Sequence, residues 1–253
     1  MRRLFTPLLL LLIAVSSPSV AETIYIYSYH NHPPFVTKPG QGLTYKLADI
    51  LRQQSGNQFD FKVKILPRPR LNAKIKHWIA GQCEKQSCAQ DWLVPWVNPR
   101  WGFIKGPRDN YLWHELYAGS SSVLSHIDNP VDYQGPDSLQ GKTFAGMRGH
   151  RYLGIDPLVS EGKIRRLDGN KERDNLMKIL MKRVDATILP TSTINYFLRY
   201  DAVIKAESEK LLISDIKHQQ FSRYIMLPET RPDLLRLVTQ AKQSTAKLLD
   251  AYR

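Results

Sequence analysis

Acidic side chains are scarce in this chain of 253 residues: 23 Asp and Glu stand against 36 Lys and Arg, a formal net charge of +13. The imbalance raises the question of a polyanionic partner. Long apolar runs are absent after residue 15, which excludes a multi-span membrane protein. No internal repeat at solenoid periods and no low-complexity tract is present. Apolar residues at 42% and charged residues at 23% argue against disorder and collagen-like repeats. What remains is an ordinary soluble protein, whose length allows either one large domain or two lobes of roughly a hundred residues each.

Catalytic motifs are missing too. His114-Glu115 opens a zincin-like pair, but the residue four after His114 is Ala118. Ser120, Ser121 and Ser122 follow Gly119 without the flanking glycines of a nucleophile elbow. Gly40-Gln41-Gly42 lacks the third glycine and the strand context of a dinucleotide loop, and no Gly-Lys-Ser/Thr run cradles a phosphate. The chain reads as a non-enzyme without a cofactor; an exported hydrolase with an unrecognised site is the weaker alternative.

The N-terminus carries a targeting signal. Met1-Arg2-Arg3 is a basic n-region, Leu8 to Val15 an unbroken apolar run, and Ser19 and Ala21 satisfy the small-x-small rule for cleavage before Glu22. We therefore expect a signal peptide over 1–21 and a soluble periplasmic protein with no membrane-spanning segment after cleavage. Export bears on the only two cysteines, Cys83 and Cys88, because an oxidising compartment favours their pairing. With four residues between them the disulfide would pin a local turn; a metal site there lacks further ligands nearby.

Strands and helices alternate along the rest. Ile24 to Ser28 is a buried-strand run, and Leu43, Leu47, Ile50 and Leu51 share one helical face up to Gly56. Phe59, Phe61, Val63 and Ile65 alternate with polar residues as a half-buried strand. Leu71 to Ile79 restores the helical period, and Asp91 to Val97 reads as a strand interrupted by Pro95. A second unit follows, with strands at 121–124, 142–147, 164–167 and 185–189, and helices at 151–159 and 174–183. The strand 222–227 and one long helix 232–252 complete the chain. This order predicts an α/β protein of two lobes, 22–120 with 213–253 and 121–212, each a mostly parallel sheet flanked by helices. The lobes join near 118–127 and 212–222. Ligands then belong in the loops after Ser28, Leu66, Val97, Met147 and Leu189.

Tyr29-His30-Asn31-His32-Pro33-Pro34-Phe35 after the first strand, Gly42-Leu43 opening the first helix, Leu139-Gln140-Gly141-Lys142, and Asn175-Leu176 leading to Arg183-Val184-Asp185-Ala186 follow in a recognisable order. In that order the chain resembles the extracytoplasmic solute-binding proteins of the polar amino-acid type. The resemblance implies a type II periplasmic-binding fold with crossover strands between lobes, a small-molecule ligand, and delivery to an ABC permease or presentation to a membrane sensor. It places Arg100 where amino-acid binders clamp the ligand carboxylate, and puts Pro190 where they hold the ligand's ammonium with an Asp. A proline offers no such charge, so the ligand class expected is anionic or zwitterionic rather than an ordinary α-amino acid.

The other candidates come from the predicted loops. His32 stands where an aromatic often stacks on a ligand, with Phe35 beside it serving either the core or the ligand; Tyr29 is a further candidate of that loop, and His30 reads as a solvent-facing loop histidine. Arg68 and Arg70 flank Pro69, Trp96 is a platform or a core residue, and Asn98 offers an amide. Arg148, His150, Arg151 and Tyr152 sit where a strand passes into a helix N-terminus, which favours an anion. Thr191 and Ser192 start another helix, where capping is the plain role. The densest basic stretch, Lys163, Arg165, Arg166, Lys171, Arg173, Lys178, Lys182 and Arg183, spreads over a strand, a loop and a helix and reads as a solvated face. No nucleic-acid partner is expected, and the protein is expected to be a monomer.

Overall fold

The structure, a computed structural model, describes residues 21–79, 91–102, 111–250 and 252. The expected signal peptide and the Cys83–Cys88 pair lie outside the described residues. Eight strands run β1 (Glu22–Ser28), β2 (Phe59–Ile65), β3 (Trp92–Val97), β4 (Tyr111–His126), β5 (Thr143–Met147), β6 (Arg165–Gly169), β7 (Ala186–Pro190) and β8 (Leu211–Pro228). Eight helices run α1 (Leu43–Gln54), α2 (Arg68–Ile79), α3 (Ile155–Ser160), α4 (Glu172–Leu180), α5 (Thr191–Tyr200), α6 (Ala202–Ala206), α7 (Pro232–Gln240) and α8 (Lys242–Asp250).

The strands form one sheet in the order β2-β1-β3-β8-β4-β7-β5-β6. At one end β1 lies parallel to β2 and β3; at the other β5 lies parallel to β6 and β7. Between them the long strands β4 and β8 pair antiparallel from Tyr111↔Pro228 to His126↔Leu211. Apolar cores gather on either side of this ribbon. One holds Ile24, Phe35, Leu47, Trp96 and Leu237, the other Val123, Leu139, Phe144, Ile155 and Ile188.

β1 and β2 follow their alternation, with Ile24 and Ile26 fully buried and Lys62 and Lys64 exposed. Pro95 is tolerated within β3 because the register with β8 slips between Val94 and Val97 and Trp96 takes a left-handed φ of 68°. The segment expected as one helix from 232 to 252 is two. α7 buries Leu234, Leu237 and Val238, whereas Ala241, Thr245 and Leu249 form a second buried stripe on and before α8. A bend at Ala241 lets both stripes reach α1. The helix expected from Arg151 begins only at Ile155, because Gly154 turns the chain at a φ of 72°.

The loop between β1 and α1 is tied to the helix it precedes. The Leu43 and Thr44 N–H groups, two of the orphan donors of the first turn, donate to the carbonyls of Pro34 at 2.9 Å and Phe35 at 3.1 Å. Gly42 allows this approach: its φ is 118°, and an added Cβ would fall 2.5 Å from the Phe35 carbonyl oxygen. Gly42→Ala is therefore expected to destabilise the fold by about 1–3 kcal/mol, read from the urea midpoint; an unchanged midpoint would mean that the loop is not held this way.

Candidate functional site

The segments after β3 and β7 and the middle of β4 and β8 border a cavity of about 960 Å³ lined by Asn98 to Trp101, Tyr117 to Ser120, Thr191 and Ser192, and by Lys217, Gln219 to Ser222, Tyr224 and Tyr252. Arg100 and Lys217 bring positive charge, and no Asp or Glu is among these lining residues. Asn98 is fixed in the wall: its Nδ2 donates to the Ser222 carbonyl at 2.7 Å and its Oδ1 accepts from the Arg100 N–H at 2.8 Å. Thr191 is held by the hydroxyls of Ser120 at 2.8 Å and Ser122 at 3.1 Å.

Beside the cavity the β1–α1 loop closes against the far side. Thr193 Oγ1 in α5 donates to the Pro33 carbonyl at 3.0 Å, and His32 Nδ1 lies 3.7 Å from the buried Glu172 carboxylate at the start of α4. Behind this contact His30, expected to face solvent, is instead buried, because its Nε2 lies 3.1 Å from the Trp96 carbonyl and 3.2 Å from Arg223 Nη1. Burial first, then the Arg223 charge and His32, hold His30 well below the ordinary histidine pKa, so it is neutral. His150, on the loop after β5, is lowered by desolvation, with Glu172 working against the shift and His32, Arg166 and Arg68 adding to it. Arg68 lies 4.8 Å over the Tyr29 ring, whose hydroxyl pKa is raised chiefly by burial.

No family model matches the chain, and no curated protein does. Solved structures do. A P235GK mutant of ArgBP from T. maritima aligns over 91% of this chain and 94% of its own at a TM-score of 0.60 and 15% identity. The GluR0 ligand-binding core from Nostoc punctiforme, in complex with L-glutamate, aligns over 90% and 98% at 0.61 and 16%. The substrate-binding protein of an amino acid ABC transporter aligns over 91% and 98% at 0.55 and 15%. The chain has the two-lobed periplasmic-binding fold. In this fold β4 and β8 are the crossover strands, and the cavity and the His32–Glu172 contact each join residues from the β1–β3 end of the sheet to residues from the β5–β7 end.

The periplasmic-binding fold brings four of the residues singled out from the sequence, Asn98, Arg100, Thr191 and Ser192, to the cavity wall. Four more, Tyr29, His32, Phe35 and Trp96, cluster beside it around His30 and Arg223, with ring centroids 4.0 to 5.6 Å apart for Tyr29–His30, His30–His32, His30–Phe35 and Phe35–Trp96. Phe35 and Trp96 are fully buried in the core cluster of β1, β3 and α1. Tyr152 is committed to packing: its hydroxyl accepts from the Met147 N–H at 2.9 Å and its ring meets Phe144 at 5.0 Å. Arg70, Arg148 and His150 are exposed and do not line the cavity. The basic stretch is partly neutralised by pairing, as Arg166 meets Asp156 and Asp168, Arg173 meets Asp201, and Lys182 meets Asp128. Arg223, Phe221, Trp101, Lys217 and Glu172 were not foreseen. The one signal for the first two was the polar run from Lys217 to Arg223, which breaks the apolar pattern of a strand.

Proposed function

We propose that this is an exported solute-binding protein that captures a small anionic or zwitterionic molecule by closing two lobes, residues 22–120 with 213–253 and residues 121–212, over the cavity. The observation that carries the reading is the cavity wall, which joins Arg100, Lys217 and a set of hydroxyl and amide groups and has no carboxylate among its lining residues. Such a wall favours an anion and leaves a cation without a counter-charge. The fold supports the same use, because its solved neighbours include the substrate-binding protein of an amino acid ABC transporter. No helix among the described residues is long and apolar enough to cross a membrane. Delivery to an ABC-type permease from the periplasm is the role that fits these features.

Ligand that binds only the folded state stabilises it by RT ln(1 + [L]/Kd), about 2.7 kcal/mol at a hundredfold excess over Kd. A thermal-shift screen of small carboxylates, amino acids, phosphates and neutral sugars should therefore give shifts for anionic compounds alone. Shifts confined to sugars would overturn the anionic class, and none for any compound would count against solute binding. For a hit, Arg100→Ala is expected to weaken binding about tenfold, the loss of one charge-assisted contact at the cavity mouth; unchanged affinity would remove Arg100 from the site.

A further inference from the structure

Arg223 is the unusual residue of the crossover ribbon. It is 3% exposed, on β8, where charged side chains are rarely buried without a partner. Its guanidinium carbon lies 4.8 Å from the Phe35 ring centre, 5.0 Å from Trp101 and 5.1 Å from Phe221. Nη1 donates to the Trp96 carbonyl at 2.7 Å and approaches His30 Nε2. Nε is buried with no hydrogen-bond partner among the described residues, Nη2 makes no bond there, and no carboxylate pairs with the side chain.

A carbonyl and an imidazole need only a neutral donor. A fully charged guanidinium buried in an aromatic cage, with one edge unused, is costly unless something anionic completes it. That unused edge is the Nε/Nη2 side, whose two parallel N–H groups match the two oxygens of a carboxylate. Trp101, Phe221 and Tyr117, the cross-strand partner of Arg223, all line the cavity, so the guanidinium stands one side chain behind its wall. Trp101 and Phe221, in edge-to-face contact at 5.6 Å between ring centres, stand between the cavity and the guanidinium, so these rings must part for a ligand to reach it.

We propose that Arg223, with Arg100 adding a further contact from the cavity wall, seats the anionic group of the ligand, and that this group is a carboxylate held side-on by Nε and Nη2. The proposal rests on the reading of the cavity as a solute site and names the chemistry it selects. The aromatic rings around the guanidinium exclude water and strengthen the contact. The crossover strand itself then carries the anchor, so ligand capture bears directly on the ribbon that joins the lobes.

The test uses the whole chain, with acetate, succinate and benzoate as probes against chloride and inorganic phosphate at constant ionic strength. Calorimetry on the unaltered protein should find at least one carboxylate that binds where chloride does not. Arg223→Met, which keeps the aliphatic bulk but loses charge and donors, should weaken that carboxylate more than tenfold while leaving the unliganded melting temperature equal or higher. Arg223→Lys should also lose tenfold or more, because an ammonium cannot present two parallel donors. In the unaltered protein the Arg223 Nε–H resonance should move downfield as the carboxylate is added, a readout that does not depend on any variant folding. Carboxylate binding unchanged in Arg223→Met or Arg223→Lys, or a stationary Nε–H signal while heat of binding is observed, would make Arg223 purely structural. Phosphate preferred over every carboxylate would overturn the ligand class, and no binding of any probe, neutral solutes included, would sink the solute-binding reading itself.

Discussion

Trp96→Ala is expected to cost about 3–5 kcal/mol of stability, read as a fall in the urea midpoint at unchanged slope. The indole is fully buried, packs on Phe35 at 5.4 Å and Tyr117 at 6.4 Å between ring centres, and donates from Nε1 to the Thr44 hydroxyl at 3.0 Å. Truncation removes this volume from a core that has rigid neighbours on β1, β8 and α1, and leaves the Thr44 hydroxyl without its donor. Trp96→Phe separates the two effects: it keeps most of the bulk and should cost only about 1–2 kcal/mol. The backbone matters as much as the ring. At a φ of 68° Trp96 turns its carbonyl toward β8, where it accepts from Arg223. Trp96→Ala should thus also loosen the Arg223 side chain and weaken any ligand held there. A loss below 1 kcal/mol for Trp96→Ala would show that the neighbouring side chains collapse into the space.

Much of the fold was legible because burial leaves a period in the sequence. Phe59 to Ile65 matched its strand to the residue, and Leu43, Leu47 and Leu51 marked the face that α1 buries. The crossover ribbon was the least legible part. Only Ser121 to Leu124 and Ser222 to Leu227 looked like strands, yet β4 spans Tyr111–His126 and β8 spans Leu211–Pro228. Among the hidden parts, Gly119, Ser120, Lys217, Gln219 and Gln220 line the cavity instead of a core and so follow no apolar alternation. Their strand geometry comes from pairing with each other, a tertiary effect. The site divides the same way. Loop residues such as His32, Asn98 and Arg100 stand out because they follow strand ends, whereas Arg223 lies inside a strand and is recognisable only once Phe35, Trp101 and Phe221, distant in sequence, close around it.

Acid sensitivity should begin near neutrality, well above the range where carboxylates titrate. His30 is 5% exposed and faces Arg223 from β8, His32 on its own loop and His150 from the loop after β5. It remains neutral, accepting from Arg223 Nη1 when its proton sits on Nδ1. A second positive charge beside the guanidinium would be repelled in this buried site. In the unfolded chain the same imidazole titrates near 6.5. As pH falls below about 6.5 the unfolded state therefore binds a proton that the folded state refuses, and stability drops until the lowered folded pKa is reached; above about 7 this group contributes no slope. Each such proton steepens the dependence by up to about 1.4 kcal/mol per pH unit. His114, His150 and His218 are lowered too, in each case first by desolvation, and add in the same sense. Asp201 and Asp233, lowered first by the side-chain hydrogen bonds of Arg173 and Arg231, act only at lower pH, where their pairing is lost as they protonate. Urea midpoints should therefore fall from pH 7 to pH 5, and His30→Gln, which cannot take up the proton, should flatten that limb by close to one proton. Equal slopes for the two proteins would mean that His30 is protonated in the folded state, which is incompatible with a cationic Arg223 at 3.2 Å unless an anion lies between them. A ligand carboxylate on Arg223 is such an anion, so adding it should raise the His30 pKa and shift the acid limb to lower pH.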